Sequence, residues 1–202
     1  MKNDTDETDS YAGIDTDCIN SITTTQERCD WCWAASIQIM LKYDGLIIAQ
    51  KDIVSRIFEL DPFDNGLDMR VTNEEITECL QKLEMKDEVN RTSYTIQTKV
   101  HSKSNSKNII LTELRKKRPV MLSFTTKDDN NEVADVISAH IVVITGINYS
   151  IQKDKINIKT FMVLDPAKNE NFGRYEYVGE KSADLIESIN AFWLIDVKNN
   201  YR

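Results

Sequence analysis

The chain has 202 residues, of which 41% are hydrophobic and 29% are charged, with only six glycines and three prolines. This composition predicts one globular domain with a sizeable core, or at most two small lobes around one cleft. The net charge of −8 argues against a general binder of nucleic acid or anionic membranes, because such proteins are usually basic. No apolar run approaches the length of a bilayer span, so we expect no membrane insertion.

The acidic N-terminal stretch, residues 1–20, is rich in Asp and Thr and has no apolar core. It therefore differs from a secretory signal, and its composition predicts a disordered, solvated tail. A cytosolic protein is the simplest interpretation. The alternative is an exported surface lipoprotein whose signal was removed, with Met1 in place of the lipidated cysteine. The sequence leaves the compartment and the oligomeric state open.

Helices are predicted in the first half of the chain. Apolar side chains recur at helical spacing in residues 32–43 and 50–58, and a third helix is expected to begin after Thr72. Thr72 and Glu75 form a capping-box pattern. The apolar stripe behind this cap consists of Ile76, Cys79, Leu80 and Leu83. On that stripe, Cys79 is interpreted as a core thiol or a disulfide partner rather than a reactive group.

Strands dominate the second half. They are predicted over residues 93–100, 120–124, 139–147, 158–166 and 191–197. The intervening segments are predicted as a polar loop at 101–108, a short helix at 109–117, a polar loop at 125–132 and a turn near 151–154. Helices first and an antiparallel sheet second indicate an α+β protein rather than a doubly wound one. We expect one domain over residues 21–202, with a helical lobe to about residue 90 and a sheet lobe after it.

The chain contains only two histidines. His101 lies in a predicted polar loop, where a solvated surface imidazole is the simplest interpretation. His140 opens an apolar strand, and a lone histidine there is usually a core residue satisfied by hydrogen bonds. The position of Asp165 favours a different interpretation of His140.

An unbulged hairpin that turns near Gln152 and Lys153 would set His140 directly opposite Asp165, on the same face of the sheet. Directly opposed side chains have Cβ atoms about 4.5–5.5 Å apart, which allows a carboxylate to bond an imidazole. A slip of one residue would move the two side chains to opposite faces. Pro166 fits the end of the second strand, because proline cannot continue a ladder.

The segment QERCDWCWAAS, residues 26–36, carries the strongest signal for chemistry. Cys32 is predicted in the first turn of a helix, where free N–H groups and the helix dipole favour a thiolate. An imidazolium from His140 would favour the thiolate further. Gln26, six residues upstream, can offer a side-chain amide beside the backbone N–H of Cys32. Two such donors aimed at one point make an oxyanion hole.

A CxxC pair is also typical of redox sites and of structural zinc sites. A thioredoxin-like redox pair needs a preceding apolar strand, but residues 21–28 are polar, and Gln26, His140 and Asp165 would be left without a role. A structural zinc site needs two more ligands, and neither Cys18 nor Cys79 belongs to a second close-spaced pair. Both are therefore disfavoured.

Gln26 and the CDWCWAAS run after it resemble the nucleophile segment of papain-like cysteine peptidases. His140 and Asp165 match that family in order and setting. The second half, PVMLSF…AHIVVITG…VLDP, is more similar to bacterial papain-like enzymes, including double-glycine leader peptidases, than to plant papain. The resemblance spans residues 26–166 and rests on a few short motifs. One departure is Asp165-Pro166, where papain itself has Asn-Ser-Trp.

The resemblance implies a papain-like fold in which the nucleophile helix packs against a C-terminal antiparallel sheet. It implies that Cys32 is the nucleophile of a cysteine peptidase, that His140 is its acid and base, that Asp165 orients His140 and that Gln26 binds the oxyanion. The substrate would be a polypeptide or protein, and no metal or organic cofactor is required. The same site could instead act on side-chain amides or isopeptides, and an inactive binding module is a third possibility.

Trp33 and Cys29 lie beside the predicted nucleophile, and each has a structural interpretation. Trp33 is expected either as a core aromatic that shields the ion pair or as a substrate-binding residue. Cys29 is expected to be structural, as a disulfide partner of Cys79 or Cys18 in an exported protein, or as a packed thiol in a cytosolic one.

Overall fold

The computed structural model describes residues 8–58, 71–82, 84–87, 92–126, 138–168 and 173–199. Within these residues the chain forms one eight-stranded sheet, and all of its strand pairs are antiparallel. The strands are β1 (Ser10–Gly13), β2 (Glu84–Asp87), β3 (Thr92–His101), β4 (Val120–Thr126), β5 (Ser138–Gln152), β6 (Lys155–Leu164), β7 (Arg174–Val178) and β8 (Ile189–Asn199). Their order is β2-β3-β8-β4-β5-β6-β7, and β1 pairs with β5.

The helices cover both faces of this sheet. They are α1 (Thr16–Ile22), α2 (Cys32–Tyr43), α3 (Gln50–Phe58), α4 (Asn73–Lys82), α5 (Ser106–Arg115) and α6 (Glu180–Glu187). None of these helices is long and apolar enough to cross a bilayer. Helices α1 to α4 contribute to one apolar cluster and α5 and α6 to another, so the predicted α+β class is confirmed.

Alternate residues of the central strands face these two clusters. Ile141 and Val143 of β5 belong to the first cluster, with α2, whereas Val142 and Ile144 belong to the second, with α5 and α6. A strand that is buried on both faces needs a continuous apolar run. The sequence IVVI in β5 meets this requirement, and it positions His140 at the start of the run.

Helix α2 is the most deeply buried helix of the first cluster, with every residue from 33 to 41 buried. Two polar side chains within it are satisfied by backbone carbonyls, which fix the helix along its axis. The Ser36 hydroxyl donates to the Ile141 carbonyl at 3.2 Å, and the Gln38 amide donates to the Ile48 carbonyl at 2.5 Å. The first of these bonds ties the start of α2 to the start of β5, and so positions Cys32 near His140.

The β5–β6 hairpin does not have the predicted register. Its turn residues are Lys153 and Asp154, both with positive φ (48° and 62°), and Gln152 pairs with Lys155. Two consecutive positive φ values are typical of the tight turns that match the twist of a hairpin. Continued in this register, the ladder would set His140 opposite residue 167 rather than Asp165. The prediction of a direct pair is therefore wrong by two positions.

Two bulges interrupt the same hairpin and cancel each other. Thr145 is the extra residue in β5, and Lys159 is the extra residue in β6, because Asn148 pairs with Thr160 while Tyr149 pairs with Ile158. Because each strand gains one residue, the register near His140 is the same as the register at the turn. An error of two positions leaves a side chain on the same face, so the prediction that His140 and Asp165 share a face survives.

The N-terminal prediction needs a correction. Residues 1–7 lie outside the described part of the chain, but β1 and α1 occupy much of the stretch predicted as a disordered tail. Gly13 pairs with Gly146 of β5, and a Cβ added to Gly13 or Gly146 would lie 2.2 Å or 2.8 Å from the Tyr11 hydroxyl. The two glycines therefore leave room for the Tyr11 ring, and this close fit orders a segment of polar composition.

Most of the other predicted elements are present. The capping box is confirmed, since Thr72 and Glu75 bond each other's backbone N–H groups. The predicted helix at 109–117 begins earlier, at Ser106, and β3 extends to His101. Leu83 and residues 127–132 of the predicted loop lie outside the described part of the chain. Strands β1, β2 and β7 and helices α1 and α6 were not predicted.

The hairpin turn provides a test of this geometry. We expect Asp154→Gly to raise the free energy of unfolding by about 0.5–1 kcal/mol, because glycine adopts positive φ without the cost that a side chain carries. Urea denaturation measures the change. Gln152→Gly, in the adjoining strand, is the control and should lower stability by a similar amount. A stabilisation by Gln152→Gly, or none by Asp154→Gly, would contradict this turn geometry.

Candidate active site

Cys32 is the first residue of α2, and its side chain is partly buried. The residue before it, Trp31, makes no side-chain capping bond, and the first turn of α2 contains no acidic residue. The N–H groups of this first turn therefore meet no acidic side chain within the turn itself. They favour a negative charge on the sulfur of Cys32.

His140 and Asp165 are directly bonded, with 2.8 Å between Nε2 of the ring and Oδ1 of the carboxylate. His140 is 18% exposed and Asp165 is 2% exposed. The two residues are diagonal rather than opposite neighbours, and diagonal side chains on one face remain within reach of a long or aromatic residue. The predicted contact therefore exists, although the register that suggested it does not.

The imidazole of His140 also makes a hydrogen bond to the Cys32 side chain. Because Nε2 is bonded to Asp165, Nδ1 is the ring nitrogen that is left for Cys32. Burial lowers the pKa of His140, but the hydrogen bonds to Asp165 and Cys32 and the negative charge on both partners outweigh burial and raise it to about 9. At neutral pH the ring is therefore mostly the imidazolium, held between the Asp165 and Cys32 side chains.

Asp165 is held by the backbone around it. Its N–H donates to the Gly173 carbonyl at 2.7 Å, and its Oδ1 accepts the Ala167 N–H at 3.0 Å. Pro166, which follows, ends the β6 ladder because proline has no N–H to donate. The carboxylate consequently has a fixed position, with one oxygen shared between the Ala167 N–H and His140.

Gly173 is required by this arrangement. Its φ is +74°, and a Cβ added to it would lie 2.7 Å from the Asp165 carbonyl oxygen. The position therefore combines a left-handed backbone with a contact that no side chain can make. It lies just before β7, a strand that was not predicted, and so it was missed as a residue that supports the site.

Gln26 is joined to both halves of the site. Its backbone N–H donates to the Pro166 carbonyl at 2.9 Å, and its side-chain Nε2 donates to the Cys29 carbonyl at 2.5 Å. The first bond connects it to the segment that carries Asp165, and the second to the turn before Cys32. The amide nitrogen has two hydrogens, so one remains for another acceptor. The Gln26 Oε1 atom is buried without a partner.

Trp33 is not available as a substrate contact. It is 2% exposed and packs in the first apolar cluster, with its ring 6.5 Å from that of Phe58. Of the two expectations for Trp33, the structure bears out the core aromatic.

None of the four cysteines forms a disulfide. Cys79 is buried, as expected for a core thiol, whereas Cys29 is exposed and makes no disulfide with Cys18 or Cys79. The expectation that Cys29 is either a disulfide partner or a packed thiol is therefore wrong. In the described part of the chain, no group of three or more His, Cys, Asp or Glu side chains could hold a metal ion.

His101 ends strand β3 instead of lying in a polar loop. Its ring stacks on Phe192 with 5.0 Å between centroids, so the expectation of a freely solvated imidazole is wrong. Strands β8 and β4 separate β3 from β5 in the sheet. Three strand spacings correspond to about 14 Å, so the strand of His101 is well separated from that of His140.

Comparison with known proteins adds to this geometry. The sequence model of the Peptidase_C39 like family matches residues 14–193. The peptidase domain of Streptococcus ComA, a bi-functional ABC transporter involved in a quorum-sensing pathway, has a similar fold, with a TM-score of 0.53 and 10% identity over 86% of this chain and 96% of that one. A double-glycine motif protease from an AMS/PCAT transporter, solved with a leader peptide, gives a TM-score of 0.46 and 13% identity over 86% of this chain and 89% of that one. No curated protein matches the sequence.

The shared fold and the family match define a cysteine peptidase of the papain-like class. The chain belongs to the Peptidase_C39 like family, whose model covers all of it except the ends. The predicted papain-like fold, the predicted family and the predicted class of enzyme are thereby confirmed.

The role of Gly173 can be tested by Gly173→Ala. We expect kcat/KM to fall at least about tenfold, because the new Cβ would displace the Asp165 carbonyl and misalign the imidazole. Gly45→Ala is a matched control, since Gly45 also has positive φ (+83°) but nothing lies within 4 Å of an added Cβ. Gly45→Ala should lose about 1 kcal/mol of stability from the positive φ alone, and Gly173→Ala should lose more because of the added backbone contact. An equal loss of activity in the two variants would contradict the specific role of Gly173.

Proposed function

We propose that this protein hydrolyses peptide bonds with a Cys32–His140–Asp165 triad, and that Gln26 contributes to an oxyanion hole. The observation that carries the proposal is the position of the His140 imidazole, which bonds the Asp165 carboxylate through Nε2 and also interacts with the Cys32 side chain. A largely buried imidazole with these two partners is suited to moving a proton between sulfur and substrate.

The thiolate of Cys32 attacks the carbonyl carbon of the scissile bond and forms a tetrahedral oxyanion. His140, as the imidazolium, donates its Nδ1 proton to the leaving amine as the C–N bond breaks, which leaves a thioester on Cys32. The neutral imidazole then takes a proton from water as the oxygen of that water attacks the thioester. Collapse of the second tetrahedral intermediate releases the carboxylic acid and returns the thiolate and imidazolium.

Asp165 exchanges no proton with the substrate in this cycle. Its carboxylate fixes the orientation of the ring through Nε2, so that Nδ1 stays directed at the sulfur. It also stabilises the imidazolium, and its almost complete burial makes that interaction stronger than it would be in water. A buried carboxylate without a cationic partner would cost several kcal/mol, so Asp165 and His140 depend on each other.

Gln26 supports the oxyanion in this scheme. The Cys29 carbonyl holds one hydrogen of the Gln26 amide, which limits rotation of the side chain and leaves the other hydrogen for the substrate oxygen. The Cys32 backbone N–H, unpaired at the start of α2, is the second donor. Donors that are oriented before the reaction stabilise the charge that develops on the oxygen without reorganisation.

Mass spectrometry of a synthetic peptide library incubated with the protein tests the proposed reaction. Cleaved peptides are expected from the intact protein and none from Cys32→Ala, while Cys29→Ser, which alters only an exposed thiol, should still cleave. Deamidated, cross-linked or isopeptide-cleaved products would assign the same thiol to a different reaction. Unchanged peptides with both proteins would identify an inactive binding module and contradict the proposal.

Substitution of Gln26 tests the oxyanion hole. We expect Gln26→Ala to lower kcat about 10²-fold with little change in KM, because the donor acts on charge that exists only in the transition state. Steady-state kinetics on a peptide from the library provide both constants. Gln38→Ala, which removes another amide-to-carbonyl bond in the same cluster of helices, controls for loss of structure. An unchanged kcat in Gln26→Ala would remove this residue from the site.

A further inference from the structure

Aromatic rings surround the His140–Asp165 pair on one side. The Phe124 ring lies edge-on to the imidazole, with 5.6 Å between centroids, and the Tyr177 ring lies edge-on to Phe124 at 6.1 Å. The Tyr175 ring contacts Tyr177 at 5.1 Å and is 39% exposed. We call Phe124 and Tyr177 the aromatic cover. Trp33, expected as a shield of the ion pair, packs in the first apolar cluster. Phe124 and Tyr177 are the rings that approach His140.

The two rings of the cover come from distant strands. Phe124 of β4 pairs directly with His140 of β5, so their contact follows from the ladder. Tyr177 belongs to β7, and both β5 and β6 lie between β7 and β4 in the sheet. Three strand spacings amount to about 14 Å in a flat sheet, far more than the separation of the two rings. The sheet therefore curls over this face, consistent with the two bulges in the β5–β6 hairpin.

The curled sheet brings the Tyr177 phenol into the electrostatic field of Asp165. Burial and, to a smaller extent, the charges of Asp165 and Tyr175 raise the pKa of Tyr177 to about 12. The phenol of Tyr177 consequently stays neutral at physiological pH. Tyr177 thus contributes a large, uncharged and partly buried group beside an almost completely buried carboxylate.

We propose that Tyr177 is a positioning residue that, together with Phe124, excludes water from the hydrogen bond between Asp165 and His140. Exclusion of water lowers the local dielectric constant and strengthens the attraction between the carboxylate and the imidazolium. The cover thereby keeps the ring charged and oriented over the pH range in which the thiolate must persist. The proposal rests on the triad of the proposed function, but it concerns a strand that contributes no catalytic group.

Four ionisable groups bear on the expected pH dependence. The Cys32 side chain from α2 and the Asp165 carboxylate after β6 bond His140, while Tyr177 and Tyr175 of β7 act through Asp165 or through each other. Interactions with anionic partners raise the pKa of His140 above its ordinary value. Burial lowers the pKa of His140, but Phe124 still covers the ring when Tyr177 alone is replaced, so that burial is retained. Loss of the Tyr177 ring then weakens the Asp165 interaction and moves the titration of His140 to lower pH.

The direct experiment is an NMR titration of the His140 ring in the Cys32→Ala background, where neither the thiolate nor turnover contributes. The chain has only two histidines, so a His101→Ala variant assigns the signals. We expect Tyr177→Leu to lower the midpoint of His140 by about one pH unit, since water then reaches the carboxylate. Tyr177→Phe should keep the original midpoint because it retains the ring, and Asp165→Asn is the positive control.

Tyr175→Leu is the matched control, because it removes the same kind of ring from the same strand, one ring farther from His140. Its midpoint should stay at the original value. A midpoint in Tyr177→Leu that does not move would overturn the proposal, as would equal shifts in the two leucine variants, which would indicate general loosening of β7. Thermal unfolding of each variant provides a separate measure of stability.

Kinetics connect the titration to catalysis and keep the two proposals distinguishable. In the enzyme with Cys32 present, Tyr177→Leu should move the alkaline limb of the kcat/KM profile to lower pH, and Tyr177→Phe should restore it. If peptides are not cleaved at all, the proposed function fails, while the NMR titration still decides whether Tyr177 controls His140. If peptides are cleaved but the alkaline limb stays in place, the positioning role fails alone.

Discussion

The hydrogen bond between His140 and Asp165 is the interaction on which the rest of the site depends. Asp165 is 2% exposed, and a charge so deeply buried is tolerated only with a partner and with its oxygens occupied. The surrounding backbone meets these conditions, because the Ala167 N–H bonds the same oxygen as His140 and the Gly173 carbonyl fixes the main chain of Asp165. The neighbouring Pro166 carbonyl in turn holds the backbone of Gln26. The proposed orienting residue and the proposed oxyanion donor are thus parts of one hydrogen-bonded unit.

The other half of the site comes from the opposite side of the sheet. Helix α2 packs in the first apolar cluster, whereas Phe124, which pairs with His140, belongs to the second. The sulfur and the imidazole therefore meet where the start of α2 passes the start of β5. The bond from Ser36 to the Ile141 carbonyl fixes this relation, and burial on all sides of α2 leaves the helix little freedom to slide. A rigid helix end is well suited to a nucleophile, because small displacements of reacting groups reduce rates strongly.

The sequence predicted the elements whose signals are local. The spacing of apolar residues predicted α2 and α3 at their observed bounds, and Thr72 with Glu75 predicted the start of α4. The shared face of His140 and Asp165 was also predictable, since it requires only the correct parity of the hairpin. The direct pairing was not, because the register depends on positive φ values at both Lys153 and Asp154, and a Lys-Asp pair is not among the dipeptides that mark such a turn. Strands β1 and β7 were missed for a related reason: β1 is ordered by a fit between Tyr11 and two glycines, and β7 is a short edge strand of mostly exposed residues.

The CxxC sequence is explained by backbone contacts rather than by paired thiols. Cys32 bonds His140 through its side chain, but the contact of Cys29 with the site is its carbonyl, which holds the Gln26 amide. Any residue type that allows the same turn can supply a carbonyl, so the second cysteine is not required by the proposed chemistry. What matters is the three-residue interval between Gln26 and Cys29. It brings the Gln26 amide to a backbone carbonyl of the turn that precedes α2. The same principle applies to Gly173 and Pro166, whose main-chain atoms position Asp165 and Gln26. Much of this site is therefore specified by the path of the backbone, and a search for reactive side chains in the sequence finds only the groups that this backbone holds in place.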